Sequence, residues 1–82
     1  MVLQENWGIS VSHAEAFFAA QPDVEQTADG FRFGSCRITL QAGTNQVGPW
    51  TQVRTVLSLE GGEDDVRRIY RRFFLRFLSA GG

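Results

Sequence analysis

The chain has 82 residues, with very little cysteine and histidine and no lysine. Its single cysteine, Cys36, cannot form an internal disulfide, and a small secreted domain would usually contain several cysteines. A structural zinc site needs about four Cys or His ligands, and Cys36 and His13 are the two candidates in this sequence. The sequence therefore predicts no disulfide, no metal site and no cofactor.

Long apolar runs are also missing. No stretch approaches the roughly 20 apolar residues that a membrane-spanning helix needs. The first residues lack the basic segment followed by an apolar stretch that marks a secretory signal. Since 43% of the residues are hydrophobic and 21% are charged, the composition is typical of a globular domain. We expect one small cytoplasmic domain over residues 1–82, with residues 1–6 as a flexible terminus and no membrane segment.

Groups suited to catalysis are equally scarce. A nucleophilic cysteine needs a base within hydrogen-bond reach and a third group that orients this base. Cys36 is expected on a strand that faces the core, whereas His13 is expected to be exposed in the first turn of a helix. The acidic run Glu63-Asp64-Asp65 is typical of a helix start rather than of an acid–base pair. We therefore expect a protein that is not an enzyme and has no catalytic residues.

The N-terminal third predicts one helix. Ser12 is followed three residues later by Glu15, which is the spacing of a capping box, and Val11 precedes it as an apolar staple residue. This pattern predicts a helix from about residue 13 to residue 21, ended by Pro22. The side chains expected to be buried share one face of this helix: Ala14, Phe17, Phe18 and the stem of Gln21.

Three extended segments follow the first helix. Residues 24–28 and 31–41 flank the pair Asp29-Gly30, which favours a two-residue type I′ hairpin turn. The apolar alternation changes phase at Gly34-Ser35, which indicates a β-bulge or a kink. After a polar loop at residues 42–49, residues 50–60 alternate as a strand. Its apolar face is expected to contain Val53, Thr55, Leu57 and Leu59.

The C-terminal segment predicts an amphipathic helix from Glu63 to about Leu78. Its three leading acids are favourable at the positive end of the helix dipole. One apolar stripe repeats with helical spacing and should pack on the sheet: Val66, Ile69, Tyr70, Phe73 and Phe77. We therefore expect an α+β fold of order αβββα. Its three-stranded antiparallel sheet, or four-stranded if residues 7–11 add a strand, has the N- and C-terminal helices on one face.

The basic residues are all arginine, and none lies in residues 1–31, which contain five acids. Glu63–Arg67 and Asp64–Arg68 have the spacing of pairs along one helix face. The remaining helix arginines form either a solvated face or a cationic surface. The exclusive use of arginine also fits a codon bias of the source genome.

The last helix contains more apolar residues than one stripe can bury. Phe74, Leu75 and Leu78 lie off the stripe, so they are either covered within the protein or exposed at an interface. Our leading hypothesis is a non-catalytic protein-interaction module whose partner is another protein or a second copy of the chain. The expected contact residues are Arg71, Arg72, Phe74, Leu75, Arg76 and Leu78.

The alternative hypothesis is nucleic-acid or anion binding. It uses the arginines of the last helix together with Arg32, Arg37 and Arg54 on the open face of the sheet. Arg37 and Arg54 are expected on adjacent strands. The net charge of −1 and the acidic first third disfavour nucleic acid as the partner.

Overall fold

The computed structural model describes residues 1–78. Within them lie five strands and two helices. These elements are β1 (Val2–Trp7), α1 (Val11–Ala19), β2 (Glu25–Gln26), β3 (Phe31–Phe33), β4 (Cys36–Val47), β5 (Trp50–Glu60) and α2 (Glu63–Phe77). All strands pair antiparallel in the spatial order β1-β5-β4-β3-β2. The α+β class and the antiparallel sheet are confirmed, but the order is βαββββα rather than αβββα. None of the helices in residues 1–78 has the length and apolar character needed to cross a membrane.

Gly34 and Ser35 form a tight turn, so the predicted bulge is wrong. Phe33 pairs with Cys36 across this turn, and Gly34 has a φ of 58°, a left-handed conformation that glycine adopts without steric cost. Because the chain reverses direction here, the apolar residues before and after the turn face the same side of the sheet. The change of phase in the sequence therefore marks a hairpin and adds one strand to the expected three.

The preceding hairpin has a different register from the predicted one. Thr27 and Gly30 exchange backbone hydrogen bonds of 2.8 and 3.4 Å, so Ala28 and Asp29 occupy the centre of the turn. No non-glycine residue of the described chain has a positive φ, which excludes a type I′ turn at this position. Gly30 permits close packing instead, since a Cβ there would lie 2.3 Å from the carbonyl oxygen of Ile38.

The first helix begins at Val11 rather than at residue 13, because Ser10 caps it instead of Ser12. The Ser10 Oγ accepts a hydrogen bond of 3.3 Å from the backbone N–H of His13. The helix also ends at Ala19, two residues before the predicted end.

Residues 1–6 are not a flexible terminus. Val2–Trp7 forms β1, which pairs with the last six residues of β5, Thr55 to Glu60. The short strand expected at residues 7–11 is therefore shifted toward the N-terminus. Its pairing partner lies some 50 residues away in the chain, so no local pattern revealed the pairing.

The predicted loop at residues 42–49 is also wrong, because β4 continues to Val47 and turns at Gly48-Pro49 into β5. Neither β1 nor β3 pairs with residues 43–54, which form a two-stranded segment that we call the ribbon. The ribbon extends from the rest of the protein, and the described chain including the ribbon measures 42 × 26 × 22 Å. β5 has the predicted bounds. Val47, Trp50 and Val53 are exposed on the ribbon, so the expected place of Val53 on the apolar face with Thr55, Leu57 and Leu59 is wrong.

Both helices pack on the same face of the sheet, as predicted. Phe18 of α1 and Phe73 of α2 are fully buried, and their rings stack at 5.5 Å between centroids. The sheet contributes a layer of buried side chains beneath them: Phe31, Phe33, Cys36, Ile38, Leu57 and Leu59. The predicted stripe of α2 is confirmed, with Val66, Ile69, Phe73 and Phe77 buried and Tyr70 half-buried.

Candidate functional site

The two flanks of α2 lie over different parts of the sheet. On one flank, the ring of Phe74 meets Trp7 of β1 edge-on, at 6.0 Å between centroids. On the other flank, the guanidinium of Arg72 lies 5.0 Å from the ring centre of Phe33 on β3. The contact residues predicted from the sequence are therefore divided between two surfaces.

Arg72 is used inside the protein. Its two terminal nitrogens donate hydrogen bonds of 2.7 and 2.9 Å to the carboxylate of Asp23. This contact holds the pKa of Asp23 below its usual value. Because both side chains are partly exposed, the ion pair adds little stability, but it connects the segment before β2 to α2. A partner that bound Arg72 would have to displace this contact.

The start of α2 is connected to the turn between β3 and β4. The Asp65 carboxylate accepts hydrogen bonds from the backbone N–H and the hydroxyl of Ser35, at 2.9 and 2.8 Å. These bonds lower the pKa of Asp65, and the nearby charge of Arg68 contributes in the same direction. The predicted ion pair between Glu63 and Arg67 is present. The predicted pair between Asp64 and Arg68 does not form within the described residues.

Three large apolar side chains of α2 remain exposed. The exposed fraction is 36% for Phe74, 60% for Leu75 and 52% for Leu78. Successive helix residues are rotated by about 100°, which places Leu75 opposite the buried stripe and Leu78 on the same side as Phe74. By the same rotation, Arg67 and Arg71 share that side. We call Arg67, Arg71, Phe74 and Leu78 the β1-side flank of α2.

Beneath this flank, β1 supplies polar groups that the sequence analysis missed. Burial raises the pKa of Tyr70 to about 12, and a hydrogen bond to the half-buried Glu5 of β1 contributes further. The indole Nε1 of Trp7 is buried without a hydrogen-bond partner among the described residues. The sequence signal for β1 was the alternation of Leu3, Glu5 and Trp7 on one face. A six-residue segment with no hairpin partner next to it in the sequence was too short to be predicted as a strand from this signal.

An open groove of about 600 Å³ lies between α1 and the end of α2. Arg76 borders this groove and lies 5.4 Å from the ring centre of Phe77. The other lining residues are mostly small or apolar: Gly8, Ile9, His13, Ala16, Phe17, Ala20 and Gln21.

Cys36, the candidate nucleophile in the sequence, is buried beneath α2. Burial raises the pKa of its thiol, which disfavours the reactive thiolate. Within residues 1–78, no group of three or more His, Cys, Asp or Glu side chains has an arrangement that would hold a metal ion.

The three sheet arginines do not form one cluster. Arg32 and Arg37 face each other across β3 and β4 on the face away from the helices, which we call the outer face. Their neighbours in the same row are Glu25 and Glu60. Arg54 lies six residues along β5 from this row, or about 20 Å at the usual rise of a strand. Its Nε donates a hydrogen bond of 2.7 Å to Asn6 Oδ1. An anion site on this face would therefore contain two arginines flanked by two acids.

The β1-side flank and the outward-facing Leu75 form the exposed apolar surface of α2. They combine exposed apolar side chains with Arg71 and with Arg67, which pairs with Glu63, and they lie beside the half-buried carboxylate of Glu5. Comparisons of the chain with models of known protein families, with curated proteins and with solved structures gave no match.

Proposed function

We propose that this protein is a non-catalytic interaction module that binds another protein molecule through the exposed surface of α2. The observation that supports it is the exposure of Phe74, Leu75 and Leu78 on a helix whose opposite stripe is fully packed. Each fully buried leucine or phenylalanine contributes roughly 1.5–3 kcal/mol relative to an exposed one, so covering this surface is favourable. The contact residues are Arg71, Phe74, Leu75 and Leu78, a smaller set than the sequence suggested.

The surface is also partly preorganised. Phe74 is fixed between the rings of Trp7 and Tyr70, at 6.0 and 5.9 Å between centroids. An aromatic side chain that is already ordered loses little conformational entropy when a partner covers it. Arginine beside aromatic residues is the composition enriched at protein contacts. We place the module in the cytoplasm, because a small secreted domain would usually contain several cysteines and this chain contains one.

Site-specific photo-crosslinking in cells of the source organism tests this proposal. A photoreactive phenylalanine analogue at position 75 should give one or a few discrete protein adducts, and a second change, Leu78→Glu, should reduce them. The matched control has the analogue at Val53, which is 61% exposed but lies on the ribbon. Equal adduct patterns at positions 75 and 53, or none at 75, would contradict the proposal. Adducts lost after nuclease treatment would instead support nucleic-acid binding.

A further inference from the structure

The groove between α1 and the end of α2 follows one face of α1. His13, Ala16, Phe17 and Ala20 line it, and their spacing of three and four residues places them on a single face of the helix. At a rise of about 1.5 Å per residue, this face is about 10 Å long. The groove volume of about 600 Å³ lies within the usual range of small-molecule sites. The groove is therefore large enough for a small molecule that lies along α1.

Two alanines leave the space open. Ala16 and Ala20 lie one helix turn apart, and both line the groove while remaining exposed to solvent. Their methyl groups project little from the helix, whereas a leucine at either position would fill the space beside it. Since the two alanines are aligned along the helix, the open space is straight and favours an unbranched ligand.

The floor of the groove is apolar. Ile9 and Phe77 are 9% and 5% exposed, and the rings of Phe17 and Phe77 meet at 5.7 Å between centroids. Phe17 is half-buried, so part of its ring surface is in contact with water. A hydrocarbon body in the groove covers this surface, and the removal of apolar surface from water favours binding.

The described residues that line the groove include an arginine and no acid. The guanidinium of Arg76 lies 5.4 Å from the ring centre of Phe77, which places a positive charge at the border of the apolar floor. The ion pairs of the described chain use Arg67 and Arg72, so Arg76 has no acidic partner there. Residues 79–82 contain no acidic side chain. The complement of Arg76 is therefore an anionic group on a ligand.

We propose that this groove binds a medium-chain fatty acid, with the carboxylate on Arg76 and the hydrocarbon chain along α1 over Phe17. The planar guanidinium matches a carboxylate through two parallel N–H···O bonds. A single arginine neutralises a carboxylate fully and a phosphate dianion by half, so the charge of the site favours a carboxylate. The inference goes beyond the proposed protein contact, because none of the contact residues of that proposal lines the groove.

A free fatty acid fits the groove better than the carboxyl end of a peptide. A groove about 10 Å long holds about three extended peptide residues, whose backbone N–H and C=O groups need hydrogen-bond partners. The side-chain amide of Gln21 already donates a hydrogen bond of 3.3 Å to the backbone oxygen of Phe17. A hydrocarbon chain has no polar groups to satisfy, so it loses nothing on the apolar floor.

Chemical-shift titration by ¹H–¹⁵N NMR with octanoate tests this proposal. Octanoate should shift the amide signals of Ala16, Phe17 and Phe77 in a saturable way, with a Kd on the order of 0.1–1 mM for a ligand of this size. Octanamide, which keeps the chain but lacks the charge, should bind at least about 5-fold more weakly. Acetate, which lacks the chain, should give no saturable shift at the same concentrations.

Matched variants separate the charge from the space. Arg76→Gln should weaken octanoate binding about 5- to 10-fold, and Arg68→Gln, which removes the same charge about two turns earlier on α2, should change it less than about 2-fold. Ala16→Leu fills the groove and should abolish saturable binding of octanoate and octanamide. Ala19→Leu adds the same side chain at an exposed position of α1 outside the groove and should retain binding. Circular dichroism of each variant verifies that it is folded.

No saturable shift with octanoate up to about 10 mM, well above the expected Kd, would overturn the proposal. So would equal Kd values for octanoate and octanamide, or an Ala16→Leu variant that binds octanoate as the wild type does. Equal losses from Arg76→Gln and Arg68→Gln would show a general effect of net charge and overturn the carboxylate site at Arg76. These results are independent of the crosslinks at position 75, because Leu75 does not line the groove.

Discussion

Phe73 is the centre of the aromatic core, and we expect Phe73→Leu to destabilise the protein strongly. Its ring lies 4.7 Å from Phe77, 5.1 Å from Trp7 and 5.5 Å from Phe18, measured between centroids. These contacts connect both helices and β1 in one cluster. Leucine retains most of the apolar volume but cannot reproduce the edge-on and stacked contacts.

The magnitude follows from these contacts. Aromatic pairs contribute about 0.5–1.5 kcal/mol each beyond their buried area, and the shared ring makes them less than additive. With the small cavity that leucine leaves, we expect a loss of about 2–3 kcal/mol in the free energy of unfolding. A chain of this length has a total stability of about 4–12 kcal/mol, so the variant should still fold.

Urea unfolding followed by far-ultraviolet circular dichroism measures this loss, with Phe74→Leu as the matched control. Phe74 is 36% exposed and contacts two rings at about 6 Å, so we expect its replacement to cost about 0.5–1 kcal/mol. Measurement near 1 μM protein keeps association from adding apparent stability. Equal losses for the two variants would refute the assignment of Phe73 to the core and Phe74 to the surface.

Two further predictions concern pH. Because the pKa of Tyr70 is about 12 in the folded protein and 10.0 ordinarily, the unfolded chain loses this proton first, and stability should decrease as the pH rises from 10 toward 12. Tyr70→Phe should remove this decrease, and the absorbance of tyrosinate gives the pKa directly because the chain has one tyrosine. Ser35 lowers the pKa of Asp65 below 3.8, so this carboxylate should stabilise the fold above that pH and lose the effect as the pH falls through the lowered pKa. Asp65→Asn should therefore lower the urea midpoint of unfolding at pH 7 and make this midpoint fall less steeply as the pH decreases below 4. A variant whose midpoint falls as steeply as that of the wild type would contradict this role for Asp65.

The elements with strong local patterns were predictable from the sequence. Trp50–Glu60 has a continuous two-residue alternation, and α2 combines an acidic start with a clean helical stripe. The structure gives both elements close to the bounds that these patterns indicate. β1 was not predictable, because the residues that stabilise it belong to β5 and not to a neighbouring hairpin.

The ribbon was missed for a different reason. Sequence patterns reveal strands through the residues they bury, and residues 43–54 pair through their backbones while most of their side chains stay in solvent. The exposure of Leu75 and Leu78 followed from their helix positions only after the packing of α2 was known. The internal use of Arg72 depended on Asp23, a residue 49 positions away. Contacts at such distances have no signature in a single sequence.

The pairing of β1 with β5 also determines the order in which the chain can assemble. Strands β2 to β5 follow one another as a meander, so their contacts form between near neighbours, while Gln4 and Ser58 are 54 residues apart. Closing such a long loop has a large entropic cost, so β1 joins the sheet after the hairpins are in place. On a ribosome, β1 must wait until β5 has emerged. In that interval the outer edge of β5 is exposed to other strands.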